Sequence, residues 1–233
     1  MYKTQQLKQS EAKPNNKERL VKTTFYITYV FLLTTATITF IEAMRTKDSK
    51  IRNILNLETC ISVVAAYFYG RFVKEIEGKT LDYKQLNITR YTDWAITTPI
   101  MLLVLVLAFL YNTGGNLSFW TYCIILVLNY AMLGFGYLGE TGVIDKFQGV
   151  ILGFGAFAAL YGFIYKTFLH KKYKFDNSIL YWSFFILWSG YGALYFANEE
   201  IKNAGFNILD LFAKCFVGIF FWAYYTKVFK VES

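Results

Sequence analysis

Apolar and polar positions divide the chain into long segments with little between them. Runs of about 20 mostly apolar residues, the length that spans a bilayer as a helix, occur at Thr23 to Met44, Ile54 to Val73, Ile88 to Leu110, Leu117 to Leu138, Phe147 to Leu169, Ile179 to Ala197 and Asn207 to Phe229. In lipid a segment must satisfy its own backbone hydrogen bonds, so helices are expected here rather than strands. The pattern therefore predicts an all-α membrane protein, a seven-transmembrane-helix bundle over 23–229. A polar amino-terminal tail covers 1–22 and a short tail covers 230–233. Residues 1–22 have no apolar core, so no cleavable signal is expected and the first helix acts as its own insertion signal.

Composition agrees with that class. The chain is 55% hydrophobic and 20% aromatic with a mean hydropathy of +0.33, too apolar for an ordinary soluble domain. Its formal net charge of +8 collects in the first tail and in the loops "RTKDSKIR" and "HKKYK". Basic segments beside spans suit topology and anionic headgroups, so nucleic-acid binding is not expected. The positive-inside rule puts both basic loops and the carboxyl terminus in the cytoplasm and the amino terminus outside. The basic tail opposes this orientation, but the two loops agree with each other. Cys60, Cys123 and Cys215 all fall within spans and support neither a disulfide framework nor a metal site. The sole histidine, His170, reads as a solvated loop residue.

Charges inside spans are costly and by default mark function. Glu58, Arg90, Asp93, Asp210 and Lys214 qualify, with Glu42 close enough to a helix end to reach headgroups. In "NILDLFAKCFVGIFF" Asp210 and Lys214 are spaced to share one helical face, and the lysine is too deep to reach either surface. One reading is a structural ion pair. The other is an amine used covalently, as in Schiff bases with carbonyl cofactors, balanced by carboxylates from two helices. Arg90 and Asp93 also share a face, so the guanidinium is expected to keep that carboxylate ionised.

"RYTDWAITTP" in the third span, "WSGYGALY" in the sixth and "DLFAK" in the seventh resemble the retinal-pocket signatures of microbial rhodopsins, in the same order and helices. The resemblance implies all-trans retinal bound covalently to Lys214 as a Schiff base, with Asp93 and Asp210 as counter-ions and Asp93 as proton acceptor. Arg90 would lie one turn extracellular of Asp93 and Thr97 one turn cytoplasmic. Trp94, Trp188, Tyr191 and Tyr195 would wall the polyene. "NYAMLGFG" resembles the family's fourth-helix segment, which implies that Asn129, Met132 and Gly136 line the pocket, with Asn129 hydrogen-bonding Thr98. Met101 would occupy a colour-tuning position and favour green absorption.

The chain departs from the best-known pumps of that family in several places. Val104 stands where they carry a carboxylate eleven residues after the counter-ion. Glu58, in "LETCISVVAAYFYG", becomes the candidate proton donor, because a buried carboxyl there could hold a proton near neutral pH. The alternative is an interfacial glutamate paired with Arg52 or Lys50. Glu199 and Glu200 are candidates for proton release, or simply solvated, and Lys202 stands where those pumps have a second carboxyl. Gly192 replaces the usual proline of the sixth helix and keeps a flexible point there. A second-helix donor without a third-helix carboxylate resembles rhodopsins of large algal and protist viruses, which would place the chain in a host cell membrane.

Asp93, Thr97 and Glu58 together favour a light-driven outward proton pump rather than an enzyme. A chloride pump would need a neutral residue at Asp93, and a sodium pump a motif with asparagine and glutamine. The main rival is a light-gated cation channel. Against it, Glu58 is the only acid between Ile54 and Val73, whereas channels often line that helix with several. A sensory photoreceptor ranks third, and a G-protein-coupled receptor would have no need of "DLFAK". The transported ion is thus expected to be a proton, or else cations, and the partners the lipid bilayer and further copies in a trimer or pentamer.

Overall fold

The computed structural model describes residues 16–76, 82–170 and 172–226, and these form seven helices with no strand. They are α1 (Asn16–Arg45), α2 (Ser49–Ile76), α3 (Tyr83–Thr113), α4 (Phe119–Glu140), α5 (Lys146–Leu169), α6 (Phe175–Leu194) and α7 (Glu199–Thr226). Chain neighbours pack on one another, and α7 closes the bundle by packing on α1, α2 and α6. Within the stretch read from sequence as the polar tail, α1 is already helical at Asn16 and buries Val21. The tail at 230–233 lies outside the described residues.

Helix ends follow from side chains that replace missing backbone partners. Asp82 accepts from the Gln85 amide at 3.1 Å to start α3. Asp145 accepts from Phe147 at 2.8 Å to start α5, and Asn198 accepts from Ile201 at 2.9 Å to start α7. Gly114, with φ of 71°, ends α3 in the left-handed conformation that glycine adopts without strain.

Inside α3, Pro99 has no amide hydrogen to offer the Ala95 carbonyl one turn back. The Tyr130 hydroxyl, from α4, donates to that carbonyl at 3.2 Å, and Tyr122 donates to the Pro99 carbonyl at 3.0 Å. The proline thus fastens α3 to α4. In α7 the regular turns widen to a π-helical segment over Leu211–Phe216, which contains Lys214, and α5 ends in another over Tyr165–Leu169.

Polarity is arranged as lipid demands: large apolar side chains such as Trp120, Val127 and Ile186 face outward, while Arg90, Asp93, Asp210 and Lys214 are buried. Two apolar cores flank those charges. One packs Leu102, Leu105 and Phe109 against Phe157, Leu160, Trp188 and Phe221, and the other packs Phe25 and Leu32 against Tyr69, Phe72 and Leu86. Along α3 the charged site falls between them.

Among the described residues, five helices are separately long and apolar enough to cross a membrane, whereas α2 and α6 are not. Their polar residues account for this: α2 opens with Asn53, Asn56, Glu58 and Thr59, and α6 with Asp176, Asn177 and Ser178. The largest departure from the sequence expectation is at the start of α7. "ANEEIKNAG" reads as a loop, but Glu199 onward is helical, with Lys202, Asn203 and Asn207 buried. A hydropathy pattern misses those first turns because their inward face is polar.

Candidate functional site

The Lys214 amine is 1% exposed and donates to Asp93 Oδ2 across the bundle at 2.7 Å, with Asp210 Oδ2 at 3.5 Å. Two carboxylates and one ammonium in a dry interior are an unusually costly grouping unless hydrogen bonds complete it. Asp210 is well supplied. Its Oδ1 accepts from Tyr191 at 2.6 Å, and its Oδ2 accepts from Tyr69 at 2.8 Å. Asp93 is not, for its Oδ1 is buried and accepts no hydrogen bond among the described residues.

Arg90 lies one turn from Asp93 on α3 and reaches across to Asp210. Its guanidinium lies 3.5 Å from Asp210 Oδ2 and donates to Tyr69 at 3.2 Å, Asn207 at 2.8 Å and Asn203 at 3.3 Å. The rings of Phe25, Tyr69, Phe72 and Phe206 surround it at 5.4–5.8 Å, within cation–π range. Its ion-pair partner is therefore Asp210 and not Asp93. The reason is reach: three residues along α3 put Arg90 a turn away from Asp93, pointing at α2 and α7. Thr97, one turn further along α3, donates to the Asp93 backbone carbonyl at 2.9 Å.

Beside the amine lies an apolar cleft with Asp210 and Lys214 in its wall. Trp94, Thr98, Met101, Met132, Gly136, Trp188, Tyr191 and Tyr195 all line it, as does Phe206, which sequence reading missed. Asn129 stands one layer back and reaches the cleft only through Thr98, to whose hydroxyl it donates at 2.9 Å. Trp94 meets Tyr191 and Phe206 edge-on at 5.2 and 5.3 Å. Small residues keep the cleft open: a Cβ on Gly136 would sit 2.7 Å from the Tyr91 hydroxyl, and one on Gly192 would strike the Phe154 ring. A flat, conjugated carbonyl compound suits this space, with aromatic walls along its length, an amine to bind it, and Asp93 Oδ1 still free to accept a hydrogen bond.

Glu58 is 2% exposed and makes no ion pair with Arg52 or Lys50 among the described residues. It rests on α7, where a Cβ added to Gly218 would lie 3.0 Å from its Oε2 and 2.9 Å from Thr35 Cγ2. Gly218 is about one turn beyond Lys214. Val104 is fully buried in the apolar core of the same half of the bundle. Glu42 pairs with Arg45 at 3.0 Å near the end of α1.

At the opposite end, Glu199 accepts from Lys202 at 2.8 Å and from Asn87 at 2.8 Å. Glu200 stands beside it, half-buried in the first turn of α7. Lys202 also donates to Glu140 at 2.8 Å. Tyr69, Asn87, Glu140, Lys202, Asn203 and Asn207 are thus site residues that sequence reading did not assemble. Of these, Lys202, Asn203 and Asn207 share a spacing with Glu199, Phe206 and Asp210 that puts them on one face of α7, whereas nothing in the sequence pattern links Tyr69, Asn87 and Glu140 to them.

A family model for bacteriorhodopsin-like proteins matches residues 19–228, nearly the whole described bundle. The chain belongs to the bacteriorhodopsin-like family. Members of this family bind retinal within a seven-helix membrane bundle, and this one is accordingly a multi-pass membrane protein. Among solved structures, the viral rhodopsin OLPVRII is 52% identical, with a TM-score of 0.86 over 91% of this chain and all of that one. A green-light absorbing proteorhodopsin from the gamma-proteobacterium EBAC31A08 is 24% identical over 218 residues, 85% of this chain and 83% of its own. The proton pumping rhodopsin AR2 from the marine alga Acetabularia acetabulum shares the fold at 19% identity, with a TM-score of 0.71 over 93% of this chain and 98% of that one.

Proposed function

We propose that this chain is a light-driven outward proton pump that carries retinal on Lys214. The observation that supports it most is the 2.7 Å contact between Asp93 Oδ2 and the buried amine of Lys214, which lines an aromatic cleft. Bound there, retinal supplies light absorption and an isomerisation that turns that nitrogen relative to its surroundings.

Everything else is the work of the chain's own side chains. Asp93, short of hydrogen bonds at Oδ1, is the acceptor for the proton held at the Lys214 nitrogen. Asp210, fixed by Tyr69, Tyr191 and Arg90, keeps its negative charge and serves as the permanent counter-ion. Arg90 supports the site through Asp210, and Thr97 stiffens the turn that carries Asp93. Glu58, buried against Gly218 a turn from Lys214, returns a proton from the other side. Trp94, Trp188, Tyr191, Tyr195, Thr98, Met101, Met132 and Gly136 hold the polyene, with Asn129 steadying Thr98. The Glu199 end of the bundle faces outward, the loops at 46–48 and 170–174 face the cytoplasm, and Glu199 and Glu200 lie where the proton leaves. Residues 23–229 form the working domain, which assembles as a trimer or pentamer in the bilayer.

The test uses retinal-loaded vesicles with an external pH electrode. Illumination should move protons in one direction, and Asp93→Asn should abolish that movement while leaving the protein coloured. Glu58→Gln should slow recovery of the dark state about tenfold or more, as loss of a positioned proton donor does. Transport that survives Asp93→Asn would overturn the assignment of the acceptor.

A further inference from the structure

Beyond Arg90, the polar groups continue toward the Glu199 end and finish on a lysine. Arg90 donates to Asn203 Oδ1 at 3.3 Å, and Asn203 donates to Asn87 Oδ1 at 3.2 Å. Asn87 in turn donates to Glu140 Oε1 at 2.6 Å and Glu199 Oε2 at 2.8 Å. Lys202, 0% exposed, closes the ring by donating to Glu140 Oε1 and Glu199 Oε1, each at 2.8 Å. Over this ring opens a polar vestibule lined by Tyr83, Lys84, Asn87, Glu140, Lys146 and Glu199.

Glu140 from α4 and Glu199 from α7 converge carboxylate oxygens, the ligands a hard cation takes, while the Asn87 and Asn203 amide oxygens already accept from Asn203 and Arg90. Here a cation is already in place, and it is part of the chain. An ammonium buried between two carboxylates cannot be displaced by a metal ion without leaving a charge unpaired in the interior. Behind it stands a second fixed cation, the Arg90 guanidinium. A proton needs no such vacancy, since it passes by exchange of O–H bonds and small shifts of the groups that carry it.

We propose that Lys202 is a specificity-determining residue, a tethered cation that sits between the Glu140 and Glu199 carboxylates at the mouth of the outward path and reserves that path for protons. The inference rests on the proton-pump reading. In that reading the lysine standing in place of a second carboxyl is a filter against external metal cations.

The experiment is voltage clamp of light-evoked current in cells expressing the full chain, with external Na⁺ and Ca²⁺ exchanged for N-methyl-D-glucamine at constant pH. Wild type and Lys202→Arg should give the same current in either solution. Lys202→Met and Lys202→Gln, checked for normal colour, should give a current that changes about twofold or more with external metal, as when a fixed charge is removed from a pore. Neutral variants as indifferent to metal as the wild type would overturn the proposal. So would a result in which both neutral variants fail to bind retinal while Lys202→Arg succeeds, because the lysine would then be a structural clasp. A wild-type current that already reverses with the metal gradient would instead overturn the pump reading on which the filter depends.

Discussion

At the scale of single residues, the site is a balance of two carboxylates that look equivalent in sequence and are unequal in space. Asp210 collects Tyr69, Tyr191, Arg90 and Lys214, whereas among the described residues Asp93 has Lys214 alone at its side chain. Asp210→Asn should therefore be the more damaging change to stability. It strips a charge from Arg90 and leaves a buried cation underpaired, at a cost of about 3–5 kcal/mol. Thermal unfolding of the retinal-loaded variant measures this, and a melting temperature unchanged from wild type would show that Arg90 is satisfied without Asp210. Gly218→Ala tests the placement of Glu58. The added methyl meets Thr35 and Glu58 at about 3 Å, an overpacking expected to cost about 1–3 kcal/mol. It should also slow late recovery after a flash by displacing the carboxyl, and wild-type kinetics in this variant would detach Glu58 from the proposed proton return. Lys214, Asp93 and Asp210 were legible from sequence because a charge in an apolar run has few innocent explanations. The partner of Arg90 was not, since spacing along α3 says which face a side chain is on but not which neighbouring helix supplies its oxygens.

At the scale of elements, α3 and α7 do most of the positioning. Pro99 frees the Ala95 carbonyl and Tyr130 takes it, so Tyr130→Phe should leave an underpaired carbonyl and cost about 1 kcal/mol. A small fall in melting temperature with unchanged colour is the expected result, and an unchanged melting temperature would mean that this carbonyl needs no hydroxyl from α4. In α7 the π-helical turn at Leu211–Phe216 carries Lys214 and brings its amine within 3.5 Å of Asp210 while it contacts Asp93 on α3. The first turns of α7 were the least legible element. Asn198 caps them, acidic Glu199 and Glu200 suit the helix dipole, and the polar residues point inward. Hydropathy takes such a stretch for a loop, because in a membrane bundle the inside of a helix can be its polar side. Asn198→Ala should loosen this end by about 1 kcal/mol. Hydrogen exchange at Ile201 should then rise, and exchange at the wild-type rate would indicate that the buried Lys202 ring holds the turn without its cap.

At the scale of the whole molecule, seven helices place one aromatic cleft between two apolar cores, with Glu58 toward one end and the Lys202 ring at the other. Seven spans could be counted from apolar runs, even though α2 and α6 do not qualify on composition alone. Their polar residues are buried or lie at the ends, and only packing reveals that. The proposed pump needs its two ends to differ, and they do: a carboxyl packed in an apolar region on one side, and a charge-filled polar ring on the other. The most direct test is the light-evoked current of the retinal-loaded protein under voltage clamp, against an opposing voltage and an opposing proton gradient together. The proposed reading predicts that the current stays outward under both. A current that reverses sign with the ion gradient would contradict it and make the protein a light-gated channel.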